Sequence, residues 1–289
     1  MARTSHQKGS PAMNMTNVKR STITNDDVTL AVSEMGREQG QTLMFFNGGG
    51  ATQASWNRII AALQGSYRIV TFDFRNHGRS SRSHRVLVNN FLSDANVMMD
   101  RYAGVAPIVI GWSLGSDLAV WYAATHPGRV AGLYLLDGAV PVNLALDPAK
   151  TRAAMHSPVA VLSPYILSLT GRGYRLSPDE YADMTIDLNA RRPQLAQAYQ
   201  RITCPVELYL ATQPMATQPK TDKREDSAKK NALWRAGGEK LAQEHPEFTI
   251  HWFEGTHLLP YAKAVELARG LDAFVMRIHL GEPAGHALA

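Results

Sequence analysis

The sequence predicts an α/β fold, with short apolar strands alternating with helices along a single long chain. Three observations carry this. Pro107-Ile108-Val109-Ile110 is a short β-branched run of the kind that makes a buried strand, and Ser116 to Ala124 behind it is a good helix. Strand-like runs recur at Thr42–Phe46, Tyr67–Phe72, Leu133–Leu136, Val206–Leu210 and Phe248–Phe253. The 289 residues can bury a full core, and one large α/β domain is a normal size for the class.

The strand and helix around residue 110 are joined by Gly111-Trp112-Ser113-Leu114-Gly115, which fits G-x-S-x-G. Strand, sharp turn, helix is the context a nucleophile elbow requires, with glycines where a side chain would crowd the turn. The plainer reading is a Gly-rich turn whose Ser caps a helix. A serine hydroxyl is a weak nucleophile until a base takes its proton. Among the ten histidines, His257 stands out as that base. It lies on the loop Glu254-Gly255-Thr256-His257, after the last strand and before Leu258-Leu259-Pro260 and a helix from Tyr261 through Phe274. From there its ring can swing over the top of the sheet toward Ser113. The alternative is a surface-loop histidine.

Four segments in this order resemble the α/β-hydrolase family, and the resemblance covers about Val28 to Ile278. Thr42 to Gly50 is similar to the family's third strand and oxyanion loop, with Asn47 where that loop usually opens with His-Gly. Tyr67 to Ser80 is similar to the D-x-R-G-x-G-x-S strand and turn, with Asn76 replacing the first glycine. The elbow and His257 complete the set. The resemblance implies a mostly parallel central sheet flanked by helices, with a small helical cap insertion. It also implies an oxyanion hole made by the backbone amides of Leu114 and Gly49, Gly50 being the alternative donor. Trp112, Gly48 and Gly50 are the candidate substrate-binding neighbours; the indole of Trp112 either walls the pocket or packs under the elbow. Phosphate cradling by the same glycines is disfavoured, because no Gly-Lys-Ser/Thr follows them.

The third member of a Ser-His-acid triad is ambiguous. The family usually places it just after the penultimate strand, here Val206–Leu210, but Ala211 to Pro219 carries no carboxylate. The first acids beyond are Asp222, Glu225 and Asp226, inside a mixed-charge run that reads as a solvated loop or helix start. Asp137 competes with them: it ends the strand after the elbow, at the carboxyl end where ligand-facing groups collect. Some family members take their acid from that strand. Asp137 is the favoured acid and Asp222 the alternative; for Asp137 the structural reading is a cap on the turn at Gly138.

Other polar residues read as structural or peripheral. Asp73, Arg75 and Arg79 are expected to tie the turn to neighbouring backbone, and His77 and His84 lie near the rim. No H-x-x-x-H or H-E-x-x-H spacing occurs, and the single Cys204 excludes thiolate clusters, so no metal and no cofactor is expected. The net charge of +5 has no concentrated basic stripe, which argues against nucleic-acid binding. No apolar run approaches the roughly 18 residues of a membrane helix. The lack of a secretory apolar core and of a cysteine pair favours a cytoplasmic setting.

Residues 1–22 are expected to form a flexible arm and 281–289 a frayed end, with the hydrolase core at 23–139 and 203–280. The strand–helix rhythm stops over 140–202, where helix signals begin at Asp147-Pro148, Val159, Pro178 and Gln194. This is where the family commonly carries a lid, and its apolar residues (Met155, Val161, Leu162, Ile166) point to an apolar small-molecule substrate. The expected activity is serine hydrolysis of an ester, lactone or thioester. Alternatives are C–C hydrolysis, acyl transfer or cyclisation, perhydrolysis, or a small-molecule receptor on the same scaffold. Homodimerisation is left open.

Overall fold

One sheet of eight strands organises the described residues, which in this computed structural model are 17–102, 105–214 and 224–281. The strands are β1 (Lys19–Asn25), β2 (Val28–Gly36), β3 (Thr42–Phe46), β4 (Arg68–Phe72), β5 (Ile108–Trp112), β6 (Gly132–Leu136), β7 (Val206–Ala211) and β8 (Thr249–Phe253), in spatial order β1-β2-β4-β3-β5-β6-β7-β8. From β4 to β8 all pairings are parallel. β1 and β2 add an antiparallel end. β3, β5, β6 and β7 are buried at every position. Helices cover both faces of such a sheet, so its strands read as continuous apolar runs rather than alternating ones.

The N-terminal boundary needs correcting. β1 begins at Lys19, inside the stretch assigned to a flexible arm, and pairs with β2 from Lys19↔Glu34 to Asn25↔Val28. Its sequence, KRSTITN, is polar because it is an exposed edge held by main-chain hydrogen bonds rather than by burial. Of residues 281–289, assigned to a frayed end, Gly281 closes the last helix with φ 67°, and 282–289 lie outside the described residues.

Apolar clusters fill the space on either side of the sheet. One packs α2 (Val88–Arg101), α3 (Leu114–Thr125) and α8 (Arg224–Glu244) through Phe91, Leu118, Trp234 and Leu241. The other packs α1 (Asn57–Ala62) and α10 (Ala264–Leu280) through Ile59, Ile60, Leu267 and Phe274. Ten of the twelve residues of α3 are buried, so this helix is apolar nearly all round. The helix expected from Tyr261 is interrupted at Lys263, which separates a short α9 (Leu259–Ala262) from α10.

Between β6 and β7 the chain forms α4 (Pro148–Met155), α5 (Pro158–Ser168), α6 (Pro178–Arg191) and α7 (Leu195–Tyr199). Their starts are legible in local chemistry. The Asp147 carboxylate accepts the Ala149 and Lys150 amides at 2.9 and 3.1 Å, with Pro148 in the first turn. Ser177 and Glu180 form a reciprocal capping box at 3.2 and 2.7 Å. α6 is fastened to the body where the Val88 amide, opening α2, donates to Asp187 at 2.9 Å. No helix among the described residues is long and apolar enough to cross a membrane.

Candidate active site

The turn from β5 into α3 holds Ser113 at φ 55° and ψ −118°. A non-glycine residue is strained there by about 1–3 kcal/mol and stays only where its surroundings over-determine it. Here they do: the Ser113 amide donates to the Leu136 carbonyl at 2.9 Å, and the Ser113 carbonyl accepts from Ser116 at 3.0 Å. α3 sits so close to β3 that a Cβ on Gly115 would lie 2.0 Å from the Phe46 carbonyl oxygen. The elbow's second glycine is therefore dictated by close approach. As the first residue of α3, Leu114 has an amide without an intrahelical acceptor, and it donates to no protein group among the described residues.

β6 and β8 deliver the other two expected groups. Asp137 follows β6 with φ 41° and is fully buried. Its amide donates to Tyr209 O at 2.7 Å, and its Oδ1 accepts the Ala211 amide at 2.9 Å. Oδ2 lies 2.6 Å from His257 Nδ1. Facing a carboxylate, Nδ1 carries the proton and donates it, which leaves Nε2 as the ring's acceptor. His257 is held from its backbone as well: Trp112 Nε1 donates to its carbonyl at 3.0 Å, and the two rings lie 5.6 Å apart. Trp112 is only 5% exposed and its N–H is engaged, so it packs beneath the histidine loop rather than presenting a polar group to a ligand. No hydrogen bond joins Ser113 Oγ to His257 among the described residues. Asp222, the alternative acid, lies outside them.

The glycine loop after β3 divides its duties. Gly48 lies flat on Trp112; a Cβ there would stand 3.1 Å from the indole and 3.4 Å from the Ser113 Cβ. The Gly49 amide has no protein acceptor among the described residues, while the Gly49 carbonyl accepts the Tyr181 hydroxyl at 3.2 Å. The Gly50 amide, the alternative oxyanion donor, is engaged by His77 Nε2 at 2.9 Å. Among the described residues the amides of Gly49 and Leu114 thus have no protein acceptor, whereas that of Gly50 is engaged.

His77 is not a rim residue. It is 1% exposed, its Nδ1 donates to Arg75 O at 2.7 Å, and its Nε2 accepts from Gly50. The Gly50 N–H demands an unprotonated Nε2, and burial pushes the pKa down to about 4 against the Arg75 carbonyl, which favours the charged ring. The unfolded chain would protonate His77 near pH 6.5, the folded chain only near pH 4. Stability contributed by the neutral ring is therefore complete above about pH 6.5 and is lost as pH falls through about 4, on the order of 3 kcal/mol in all. Urea unfolding of wild type and His77→Gln across that window should show the wild type losing the larger share; parallel pH curves would refute the assignment. His84, by contrast, is exposed and pairs only with Glu180 at 3.2 Å.

The remaining polar residues of these segments are structural. Asn47, standing where the family usually has histidine, donates to Phe72 O and accepts from Trp56 Nε1, each at 2.6 Å. Asp73 accepts from Gln53 N, Gln53 Nε2 and Arg79 N at 2.8–3.0 Å. Arg75 is buried in a bidentate pair with Asp94 at 2.9 and 2.7 Å. Asn76 takes the left-handed φ of 62° that a glycine would otherwise serve. Among the described residues no group of His, Cys, Asp or Glu is arranged to hold a metal.

Residues from α4, α5 and the start of α6 line an open groove of about 610 Å³, which includes none of Ser113, Asp137 and His257 in its lining. Its lining includes Met155, Val161, Leu162, Leu169, Tyr174 and Tyr181. The last two touch the glycine loop: a Cβ on Gly50 would lie 3.0 Å from Tyr174 and 3.1 Å from Tyr181. Sequence reasoning passed over Tyr181, since nothing local marks one tyrosine of a helix as a neighbour of a loop 132 residues earlier.

Known proteins share this organisation. The family described as alpha/beta hydrolase fold matches residues 41–169, which span the glycine loop, Ser113 and Asp137 but not His257. The chain is 31% identical over 135 residues to rhodomycin D methylesterase of Streptomyces peucetius, covering 43% of this chain and 44% of that protein. It is 27% identical over 114 residues to 3-oxoadipate enol-lactonase 1 of Acinetobacter baylyi, covering 39% and 43%. The matched stretches thus span less than half the length of these relatives. Among solved structures, a loop variant of haloalkane dehalogenase DbeA from Bradyrhizobium elkanii superposes with a TM-score of 0.68 over 92% of this chain and 98% of that one, at 14% identity, a likeness of fold.

Proposed function

We propose that this chain, whose residues 41–169 match the alpha/beta hydrolase fold family and whose fold is similar to that of its members, is a serine hydrolase acting on an ester, lactone or thioester of a small to medium apolar molecule. The observation that carries this is the 2.6 Å contact of Asp137 with His257, on a loop bonded to Trp112, which precedes the strained Ser113. Nδ1 spent on the carboxylate leaves Nε2 to take the Ser113 proton as Oγ attacks the substrate carbonyl. Charge gathers on the carbonyl oxygen in the tetrahedral intermediate, and the Leu114 and Gly49 amides stabilise it without having to reorient. The imidazolium then protonates the leaving alcohol or thiol. A water, deprotonated by Nε2, attacks the acyl-serine and releases the acid.

Two further observations support the reading. The open groove among α4–α6 offers apolar lining to the organic part of the substrate and reaches the glycine loop through Tyr174 and Tyr181, which supports assigning these helices as a cap. The methylesterase and the enol-lactonase are, by their names, enzymes of ester and lactone cleavage. A panel of aromatic methyl esters, short acyl esters, lactones and thioesters tests the proposal. Acid release from at least one class, through an acyl-enzyme trapped on Ser113, is the expected result. A folded protein that turns over none of them would overturn it.

A further inference from the structure

The acid-bearing turn is itself strained: Asp137 has φ 41° and Ala139 has φ 57°, neither being glycine. Between them, Gly138 is pressed against the elbow, and a Cβ there would lie 2.4 Å from Ser113 O. Something must hold this turn, and the Ala139 peptide groups are gripped from two sides. Asp117 Oδ1 accepts the Ala139 amide at 2.5 Å, and the Tyr199 hydroxyl donates to the Ala139 carbonyl at 2.7 Å.

Asp117 sits in the first turn of α3, four residues past Ser113, and is fully buried. Its second oxygen accepts Arg192 Nε at 2.9 Å. Arg192, between α6 and α7, is 8% exposed and lies over the Trp234 ring at 5.4 Å. Burial drives the Asp117 carboxyl toward its protonated form, and the Arg192 guanidinium and the Ala139 amide oppose this. A buried ion pair is an inefficient device for stability alone, since well-packed apolar residues often do as well. As an acceptor for the amide of a strained turn it has a use that an apolar pair could not supply.

We propose that Asp117, with Arg192 behind it, is a positioning residue that fixes the Asp137–Ala139 turn on the nucleophile elbow and so sets the aim of His257. The pair also links the segment that carries α4–α7 to the triad, because Arg192 and Tyr199 both belong to it. This rests on the serine-hydrolase reading above.

Asp117→Asn keeps the shape and removes the charge, turning one of the two acceptors into a donor that faces either the Ala139 amide or Arg192. Titrating active serines with a fluorophosphonate normalises for any misfolded fraction. Per titrated site, kcat should fall about 10²-fold, as misplacement of a reacting group by an ångström does, with KM within about twofold. The downfield proton NMR signal of His257 Nδ1–H should move or broaden in the same variant. Tyr199→Phe, which removes one hydroxyl and keeps the ring, should shift both readouts in the same direction by less. A purely structural pair would lower thermal stability and leave kcat per site and the proton signal unchanged, and that result overturns the proposal. If Asp117→Asn does not fold, an unaltered kcat and signal in Tyr199→Phe overturn it instead. A wild type without ester turnover would sink the hydrolase reading, whereas the NMR signal would still decide whether Asp117 aims His257.

Discussion

Ser113→Ala is expected to lower kcat/KM on a cleaved ester by about 10⁶-fold, because in the proposed mechanism the triad acts as a unit and loss of its nucleophile removes covalent catalysis outright. The fold should survive it. The Ser113 hydroxyl takes part in no hydrogen bond among the described residues, and alanine at φ 55° is no more strained than serine. The residual rate should reflect binding and the two oxyanion donors acting on water. Steady-state kinetics beside thermal unfolding checks both halves: a large fall in rate with a nearly constant midpoint is the expected pattern. A rate within tenfold of wild type would exclude Ser113 as the nucleophile.

Asp137→Asn should cost about 10⁴-fold in kcat at neutral pH, and the reason lies in its two partners. The carboxylate accepts from the Ala211 amide with one oxygen and from His257 Nδ1–H with the other. An asparagine has one oxygen, and the backbone N–H of Ala211, fixed by β7, keeps it. The amide nitrogen then faces His257 and donates to Nδ1, which moves the ring proton to Nε2. Base and serine would then present two hydrogens to each other. KM should change little, since the tautomer bears on proton transfer and not on the groove. The same substitution at Asp222 should leave kcat unaltered; the opposite pattern would transfer the acid role to Asp222.

Much of this architecture is written in local sequence. The elbow could be read because its strand is a β-branched run and its glycines stand where α3 approaches β3. The helices over 148–199 announced themselves through Asp147-Pro148 and Pro178, since helix-start chemistry works over a few residues. Asp137 was readable as a candidate because it ends the strand after the elbow, at the carboxyl end of a buried parallel strand, although its partner sits on a loop 120 residues away.

What the sequence concealed was either polar at an edge or dependent on distant contacts. β1 has no apolar alternation, because its neighbour supplies hydrogen bonds and not a core. α8 carries Gly237-Gly238, which disfavour a helix by propensity. Tertiary contact overrides that cost: a Cβ at either position would stand 2.8 Å from Val140 or Leu210. His77 reads as a rim histidine until the Gly50 amide is seen to end on its Nε2. Trp112 reads equally as a pocket wall or as packing under the elbow, and only the bond from its indole nitrogen to the His257 carbonyl separates the two. Asp117 looks like an ordinary first-turn acid at a helix N-terminus, and only the crossing of α3 by the Ala139 turn and Arg192 gives it other work.

The central claim is an activated serine at position 113. Its most direct test is covalent labelling of the folded protein with a fluorophosphonate, with the adduct located by peptide mass spectrometry. The expected result is one adduct on Ser113, absent in Ser113→Ala, formed slowly in His257→Ala and Asp137→Asn, and formed at the wild-type rate in Asp222→Asn. A folded wild type that takes up no label, or a label that persists in Ser113→Ala, would contradict the account.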